Sequence, residues 1–346
     1  MAHFGFPLEA IIIFFSVVIL SVYMDLFAHR KSTEITVSSA AKWSVFWVTL
    51  SMAFYAYLWL RFDKHWADLY LAGYVLEKTL SIDNLMVFMA IFASFGIKGI
   101  LQHRILYWGI IGALVFRAIF VVIGTGLFLA SPWVGFLFGA FVIWSGWKML
   151  TSKAEEVEDT TDYKDHWSIK LTGKLMPVYT KLHLDKFFVK HEDIFSDKST
   201  EGTTPASLAS VTRKGALYAT PAFLCLMAIE TSDIAFAFDS VPAVIAVTQE
   251  PLLVYAAMIF AILGLRSLYF VLAALTKYLV HLEKAVIALL FFIGGKMLLH
   301  SWNHTMGDTG FAISPNASLL IIMAILLAGV AASVMFPAKE NEKKAS

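Results

Sequence analysis

Eight ionisable residues sit within or beside stretches that are otherwise apolar: Glu77, Lys78, Asp83, Arg117, Glu230, Asp233, Asp239 and Arg266. A charge at the centre of a membrane-spanning helix costs roughly 2.5 to 3.5 kcal/mol on insertion scales, so such a set has to face itself or water rather than lipid. Five acids against three bases leave a formal −2, which one divalent cation would neutralise. The nearby donors are also oxygens: the Asn84 amide and the hydroxyls of Ser81, Thr231, Ser232 and Ser240. No cluster of His or Cys accompanies them. Hard cations such as Mn²⁺, Mg²⁺ and Ca²⁺ take oxygen ligands, whereas Cu⁺ and Zn²⁺ favour sulfur and nitrogen. The chemistry expected is binding of a hard divalent cation. Its candidate ligands are Glu77, Asp83, Asn84, Glu230, Asp233, Asp239 and Ser240, and its counter-charges are Lys78, Arg117 and Arg266. The two arginines read equally well as permanent ion-pair partners that help the helices assemble.

Spacing adds geometry, at about 100° per helical residue. Glu77 and Asn84, seven apart, share a face, while Asp83 is turned by about 120° from Glu77. Glu230 and Asp239, nine apart, point in opposite directions on an unbroken helix. Pro242 follows, and proline removes a backbone hydrogen bond and clashes with the carbonyl four residues earlier, that of Phe238. An unwound or kinked segment is therefore predicted around Asp239, with freed carbonyls available to an ion. The plainer reading is a structural kink.

The acids recur in an internal repeat. LSIDNLMV (Leu80 to Val87) aligns with FAFDSVPAV (Phe236 to Val244), which sets Asp83 on Asp239, Asn84 on Ser240 and Glu77 on Asp233. Arg117 in VFRAIF then matches Arg266 in GLRSLYF, and GWKML (Gly146 to Leu150) matches GGKML (Gly294 to Leu298). From Arg to Lys the spacing is 31 residues in one copy and 30 in the other. Each copy holds three helices, an odd number, so the second enters the membrane in the opposite sense. That is an inverted-topology repeat, whose sites lie where the copies meet.

The elements that carry these residues follow from composition. Of 346 residues, 59% are apolar, 15% aromatic and only 15% charged, which excludes a disordered chain and argues against an ordinary soluble enzyme. Runs long and apolar enough to cross a bilayer number nine: Pro7 to Phe27, Trp43 to Leu60, Leu69 to Phe95, Ile105 to Leu129, Trp133 to Leu150, Tyr218 to Val247, Leu252 to Tyr278, Ala285 to Trp302 and Ile313 to Phe336. The fold class expected is an all-α polytopic membrane protein with about nine transmembrane helices, partnered by the lipid bilayer. Its predicted divisions are two N-terminal helices (1–68), a first three-helix repeat (69–150), a polar loop (151–214), a second repeat (215–302), and a last helix with its tail (303–346). The first span lacks a preceding Lys or Arg and a small-residue cleavage site, so it is expected to stay in the membrane. With the N-terminus outside, ten Lys and Arg of the short loops and tail fall inside and three, Arg61, Lys64 and Lys296, outside. Cytoplasmic loops hold such an excess, so the C-terminus and the Thr151 to Lys214 loop are predicted to be cytoplasmic. Within that loop, MPVYTKLHLDKFFVK (Met176 to Lys190) mixes β-branched, aromatic and charged residues and suggests short strands or an interfacial segment.

Other signals are weaker. A net charge of +1 gives no footprint for nucleic acid. The single Cys225 rules out an intrachain disulfide and reads as a buried, inert thiol. Asp308-Thr309-Gly310 is a lone protease-like triplet in a loop, and Gly135 to Gly139 is one GxxxG, at most a mark of close helix packing. With no phosphate loop, nucleophile elbow or HExxH, no enzyme is expected. Lys148 and Lys296 are expected to end their helices and reach the interface, and the histidines, His300 and His103 among them, to lie at helix ends or on the surface.

EKTLSIDNLMVF (Glu77 to Phe88) and ETSDIAFAFDSVPAV (Glu230 to Val244), with MPVYTKLHLDKFFVK between them, resemble the TerC/Alx family of integral membrane proteins over nearly the whole chain. The resemblance implies a bacterial inner-membrane protein of the broad group that includes LysE-type exporters. It implies links to Mn²⁺ export, to metal supply for extracytoplasmic enzymes and to tellurite resistance, and a site of Glu77, Asp83, Asn84, Asp233, Asp239 and Ser240. The transported divalent cation, most simply Mn²⁺, is the only metal implied. Tellurite is an oxyanion, ill matched to a net-negative site, so resistance is expected to be indirect. Two functions follow: a cation transporter centred on Asp83 and Asp239, or a membrane scaffold that recruits soluble tellurium-resistance proteins through Thr151 to Lys214.

Overall fold

The computed structural model describes residues 2–3, 6–28, 36–152, 172, 177–178, 186–190, 217–275, 282–307 and 312–335. Strand β1 (Ala2–His3) pairs antiparallel with β2 (Phe6–Pro7). There follow helices α1 (Leu8–Ala28), α2 (Val37–Arg61), α3 (Lys64–Phe95), α4 (Ile100–Ala130) and α5 (Pro132–Ser152). After strands β3 (Phe188–Lys190) and β4 (Leu217–Ala219) come α6 (Pro221–Thr248), α7 (Pro251–Ile262), α8 (Leu265–Leu275), α9 (Leu282–Thr305) and α10 (Pro315–Met335). Most of the Thr151 to Lys214 loop, His29, His281 and the Asp308-Thr309-Gly310 triplet lie outside the described residues.

Among the described residues, length and apolarity alone allow six helices to cross a membrane, α2, α4, α5, α6, α9 and α10, and a seventh span if α7 and α8, bent by 50°, count as one. The other two expected spans fall on α1, apolar through Leu8–Met24, and on α3, which carries Lys64, Asp68, Glu77, Lys78 and Asp83 along its length. The surface is apolar where a soluble protein's would be polar: Ile19, Val122, Leu127, Leu137, Leu320 and Val334 are exposed, whereas Glu77, Arg117, Asp233 and Arg266 are buried. An arrangement of this kind is stable in lipid and not in water.

The chain packs as two compact units. The first comprises Met1–Leu85, Leu114–Glu158 and Phe236–Ser346. Here α1, α2, α3 and α7 meet through Phe14, Phe54, Tyr70 and Phe260. Phe54 stands 5.1 Å from both Tyr70 and Phe260, centroid to centroid, and 5.9 Å from Phe14. The Tyr70 hydroxyl, otherwise stranded in this apolar knot, shares a 2.7 Å hydrogen bond with Ser51 of α2. Helices α5 and α9 pack along one another. Gly135 faces Ser301, Gly139 faces Leu298 and Gly294, and Gly146 faces Leu290, so the two run antiparallel. A Cβ at Gly294 would come within 2.5 Å of Ile143 and 2.9 Å of the Gly139 carbonyl oxygen. The GxxxG thus marks close packing, as such pairs of small residues do.

Three expectations need correction in this unit. The predicted unwinding at Pro242 is absent: α6 is helical from Pro221 to Thr248 with the proline inside it. Val241, Ala243, Val244, Ile245, Ala246 and Val247 are all buried, and packing on this scale holds a helix across one missing hydrogen bond. The break falls instead between α7 and α8. Gly264 there has φ +79°, a conformation that glycine adopts without strain, and Trp47 of α2 fills the space a Cβ would need. Lys296 does not end its helix either. It lies in the interior of α9, buried, because the apolar pattern continues for two further turns. His300 is likewise within α9, half-buried and stacked on Phe128 with 6.3 Å between ring centroids.

The second unit comprises Met86–Ala113 and Asp159–Ala235. Positive φ angles at Gly96 and Gly99 turn the chain from α3 into α4. β3 and β4 pair antiparallel, Val189 opposite Tyr218, which bears out short strands within the Met176 to Lys190 stretch. Thr220 ties this ribbon to the start of α6, its hydroxyl donating to the Lys186 carbonyl at 2.8 Å. Phe188 then packs on Phe223 at 4.5 Å, and the Arg104 guanidinium lies over the Phe187 ring at 5.1 Å. Cys225 is buried, as expected.

The glycine crossing gives a paired test. Gly294→Ala forces a shift of the α5 backbone or of Ile143 and is expected to destabilise by about 1–3 kcal/mol. Gly295→Ala, with nothing within 4 Å of its new Cβ, should leave stability unchanged or slightly raised. Thermal unfolding of the two proteins in detergent separates them; equal midpoints would refute the close crossing.

Candidate functional site

Glu77 and Arg117 form the electrostatic centre of the first unit. Both side chains are removed from solvent, with relative exposures of 0% and 2%, and they make a direct ion pair from α3 to α4. Asn84, two turns along α3, joins them. With its amide oriented to suit both neighbours, its oxygen accepts from Arg117 Nη2 at 3.1 Å and its nitrogen donates to the Leu80 carbonyl at 3.1 Å. The predicted shared face of Glu77 and Asn84 is therefore real, and Arg117 is what it faces. Tyr255 of α7 adds a bond to this stretch of α4, donating to the Ala118 carbonyl at 3.3 Å.

Lys78, the next residue, turns elsewhere. Its ammonium donates to the carbonyls of Ala261 at 3.0 Å and Leu263 at 3.4 Å, at the break between α7 and α8. Asp83 is placed on α3, and its side chain lies outside the described residues. Ser81, on the same helix, is fully buried and its hydroxyl has no hydrogen-bond partner among the described residues.

The acids of α6 divide between the units. In the second unit Asp233 is buried, at 3% exposure, and Glu230 lies against Gly112 of α4, where any Cβ would collide with its carboxylate. Glu230 Oε2 is buried with no hydrogen-bond partner among the described residues. In the first unit Asp239 is half-buried, with Ser145 and Lys148 of α5 in its neighbourhood. Ser240 is buried, and its hydroxyl has no partner among the described residues. An unbroken α6 sends Glu230 and Asp239 to different neighbours, as a nine-residue spacing requires. Arg266 is buried in α8. Among the described residues no three Asp, Glu, His or Cys side chains converge on one point.

Sequence reasoning missed Ser145 and Gly112, and read Lys148 only as a helix end. Ser145 and Lys148 are three apart on α5 and so share a face, a signal at the edge of the repeated Gly-x-Lys-Met-Leu motif. Gly112 left no signal beyond being a glycine in a helix opposite an acid.

Apolar helices that face outward and enclose carboxylates, amides and guanidinium groups define a multi-pass α-helical membrane protein. The family model described as "Integral membrane protein TerC family" matches residues 62–341, and the chain belongs to that family. It is 46% identical to the tellurium resistance protein TerC of Serratia marcescens, over 99% of both chains. A tellurium resistance protein TerC of an Alcaligenes species is 45% identical, again over 99% of both. Alx of Escherichia coli (strain K12) is 34% identical over 83% of this chain and 84% of the relative. No solved structure matches.

The ion pair is open to a double-mutant test. Glu77→Gln takes from the buried guanidinium the carboxylate it is paired with, and Arg117→Met does the converse; each is expected to cost about 3–5 kcal/mol. The double variant Glu77→Gln/Arg117→Met is expected to regain most of that loss, as read from unfolding of the four proteins in detergent. Losses that simply add would show that the two residues do not stabilise one another.

Proposed function

We propose that this chain exports a divalent metal cation, Mn²⁺ foremost, across a bacterial inner membrane by alternating access, with Asp83 and Asp239 at the centre of its path. The observation that carries this reading is the Glu77–Arg117–Asn84 cluster. A carboxylate with no access to solvent is neutralised there by a guanidinium, whose place a cation of higher charge density takes in this reading. Two further buried oxygen donors, Ser81 on α3 and Ser240 on α6, have hydroxyls unmatched among the described residues, which suits a hard ion.

Two further features support the wider scheme. Helices α5 and α9, equivalent in the two repeats, run antiparallel, as equivalent helices of an inverted repeat do. Their contacts are also near images of one another under exchange of the copies: Gly146 meets Leu290, and Gly294 meets Ile143. In this scheme nine spans cross the membrane with the N-terminus outside and the C-terminus in the cytoplasm. α3 is the polar span that the others enclose.

Tellurium resistance, for which the relatives are named, would come to this chain indirectly through metal homeostasis. Tellurite would want Arg, Lys or helix N-termini around it, yet Arg117 is engaged by Glu77 and Asn84, and Lys78 by backbone carbonyls. The deciding measurement is Mn²⁺ flux in proteoliposomes, with Mg²⁺, Ca²⁺ and tellurite as competitors. Wild type is expected to carry Mn²⁺, Asp83→Asn and Asp239→Asn to lose the flux while still reaching the membrane, and tellurite to compete with nothing. Normal flux in both variants would overturn the assignment of the path.

A further inference from the structure

Lys78, of the polar set, is partnered by backbone rather than by a side chain. It was expected to offset the acids. Among the described residues no carboxylate lies within ion-pair distance of it, and its ammonium instead meets two backbone carbonyls, Ala261 at 3.0 Å and Leu263 at 3.4 Å. Those oxygens belong to the end of α7. In an unbroken helix they would accept from the N–H groups four residues on, those of Leu265 and Ser267. The left-handed Gly264 turns the chain by 50° at this point. The last carbonyls of a helix carry the negative end of its dipole and need donors or cations, and an unsatisfied carbonyl in lipid is costly. Two neighbouring facts show that the break is built and held. Trp47 of α2 occupies the space beside Gly264. Ser267, in the first turn of α8, is fully buried, with a hydroxyl that has no hydrogen-bond partner among the described residues.

Converging carbonyls at a broken membrane helix, with a hydroxyl on the helix that follows, are the chemistry that elsewhere binds alkali-metal ions. We propose that the break between α7 and α8 is a monovalent-cation site whose ligand is supplied by the chain itself: the Lys78 ammonium is a tethered cation standing where a sodium or potassium ion would otherwise sit. Its charge is balanced by carbonyl dipoles, and its position is fixed from α3, one residue from the Glu77–Arg117 pair. The inference does not rest on the transport reading, because it concerns the stability of the fold in any function.

The test uses the full-length protein and Lys78→Met, which keeps the length of the stem and removes the charge. Thermal unfolding in detergent is followed as NaCl, KCl or choline chloride is raised at constant ionic strength. Binding of a ligand to the folded state raises Tm in a saturable way. Lys78→Met is expected to lose stability in choline and to recover it with Na⁺ or K⁺, whereas wild type and Lys78→Arg respond alike to all three salts. A variant Tm indifferent to the cation, or a wild-type response as large as the variant's, overturns the proposal. If Lys78→Met cannot be extracted folded in choline, gel filtration after extraction in each salt gives the same answer. A monodisperse peak in Na⁺ or K⁺ alone supports the tethered cation, and equal aggregation in all three refutes it.

Discussion

Glu77 and Arg117 sit where neither charge can reach water, and much of the first unit is arranged to keep them together. An ion pair in such surroundings gains little over well-packed apolar residues, yet it is very costly to break from one side. The helix that carries Glu77 must therefore be enclosed before its charges are tolerable. α3 carries five charged residues along its length and is held by contact: Ser51 takes the Tyr70 hydroxyl, Phe54 and Phe260 close around Tyr70, and Arg117 and Lys78 link α3 to α4 and α7. The exposed faces of α4, α5 and α10, rich in Leu, Ile and Val, supply the apolar exterior that α3 lacks.

α6 distributes its acids in a different manner. Because it continues through Pro242, Asp233 and Glu230 belong to one packing environment and Asp239 with Ser240 to another. Glycine makes the first possible, since Gly112 alone leaves room for the Glu230 carboxylate. In the second, the exposed Lys148 rests on the Trp144 ring, 5.6 Å from its centroid, in the neighbourhood of Asp239.

The helices were legible in the sequence because lipid demands long apolar runs, and the Glu77–Asn84 face because seven residues are two turns. The close α5–α9 crossing was legible at Gly135 and Gly139, although its partner Gly294 showed only as a repeat match. What escaped has a common cause. Pro242 and Gly264 are both helix breakers by local rule, and only tertiary packing decides that the proline is spanned while the glycine bends the chain. Lys296 read as a helix end because lysine is rare in a buried helix, and the pattern that continues past it was given less weight. The partners of Lys78 could not have been read at all, since backbone carbonyls carry no residue type.

The antiparallel glycine crossing bears on how the chain is made. α5 leaves the ribosome before α6, α7 and α8 exist, so its flat face at Gly135, Gly139 and Gly146 is inserted with lipid where α9 will later lie. A strip of glycines is a forgiving surface for that interval, because it exposes no polar group and holds no lipid chain tightly. One of the closest helix pairs therefore forms late in synthesis, after the long segment between α5 and α9 has been closed at an entropic cost that grows slowly with its length.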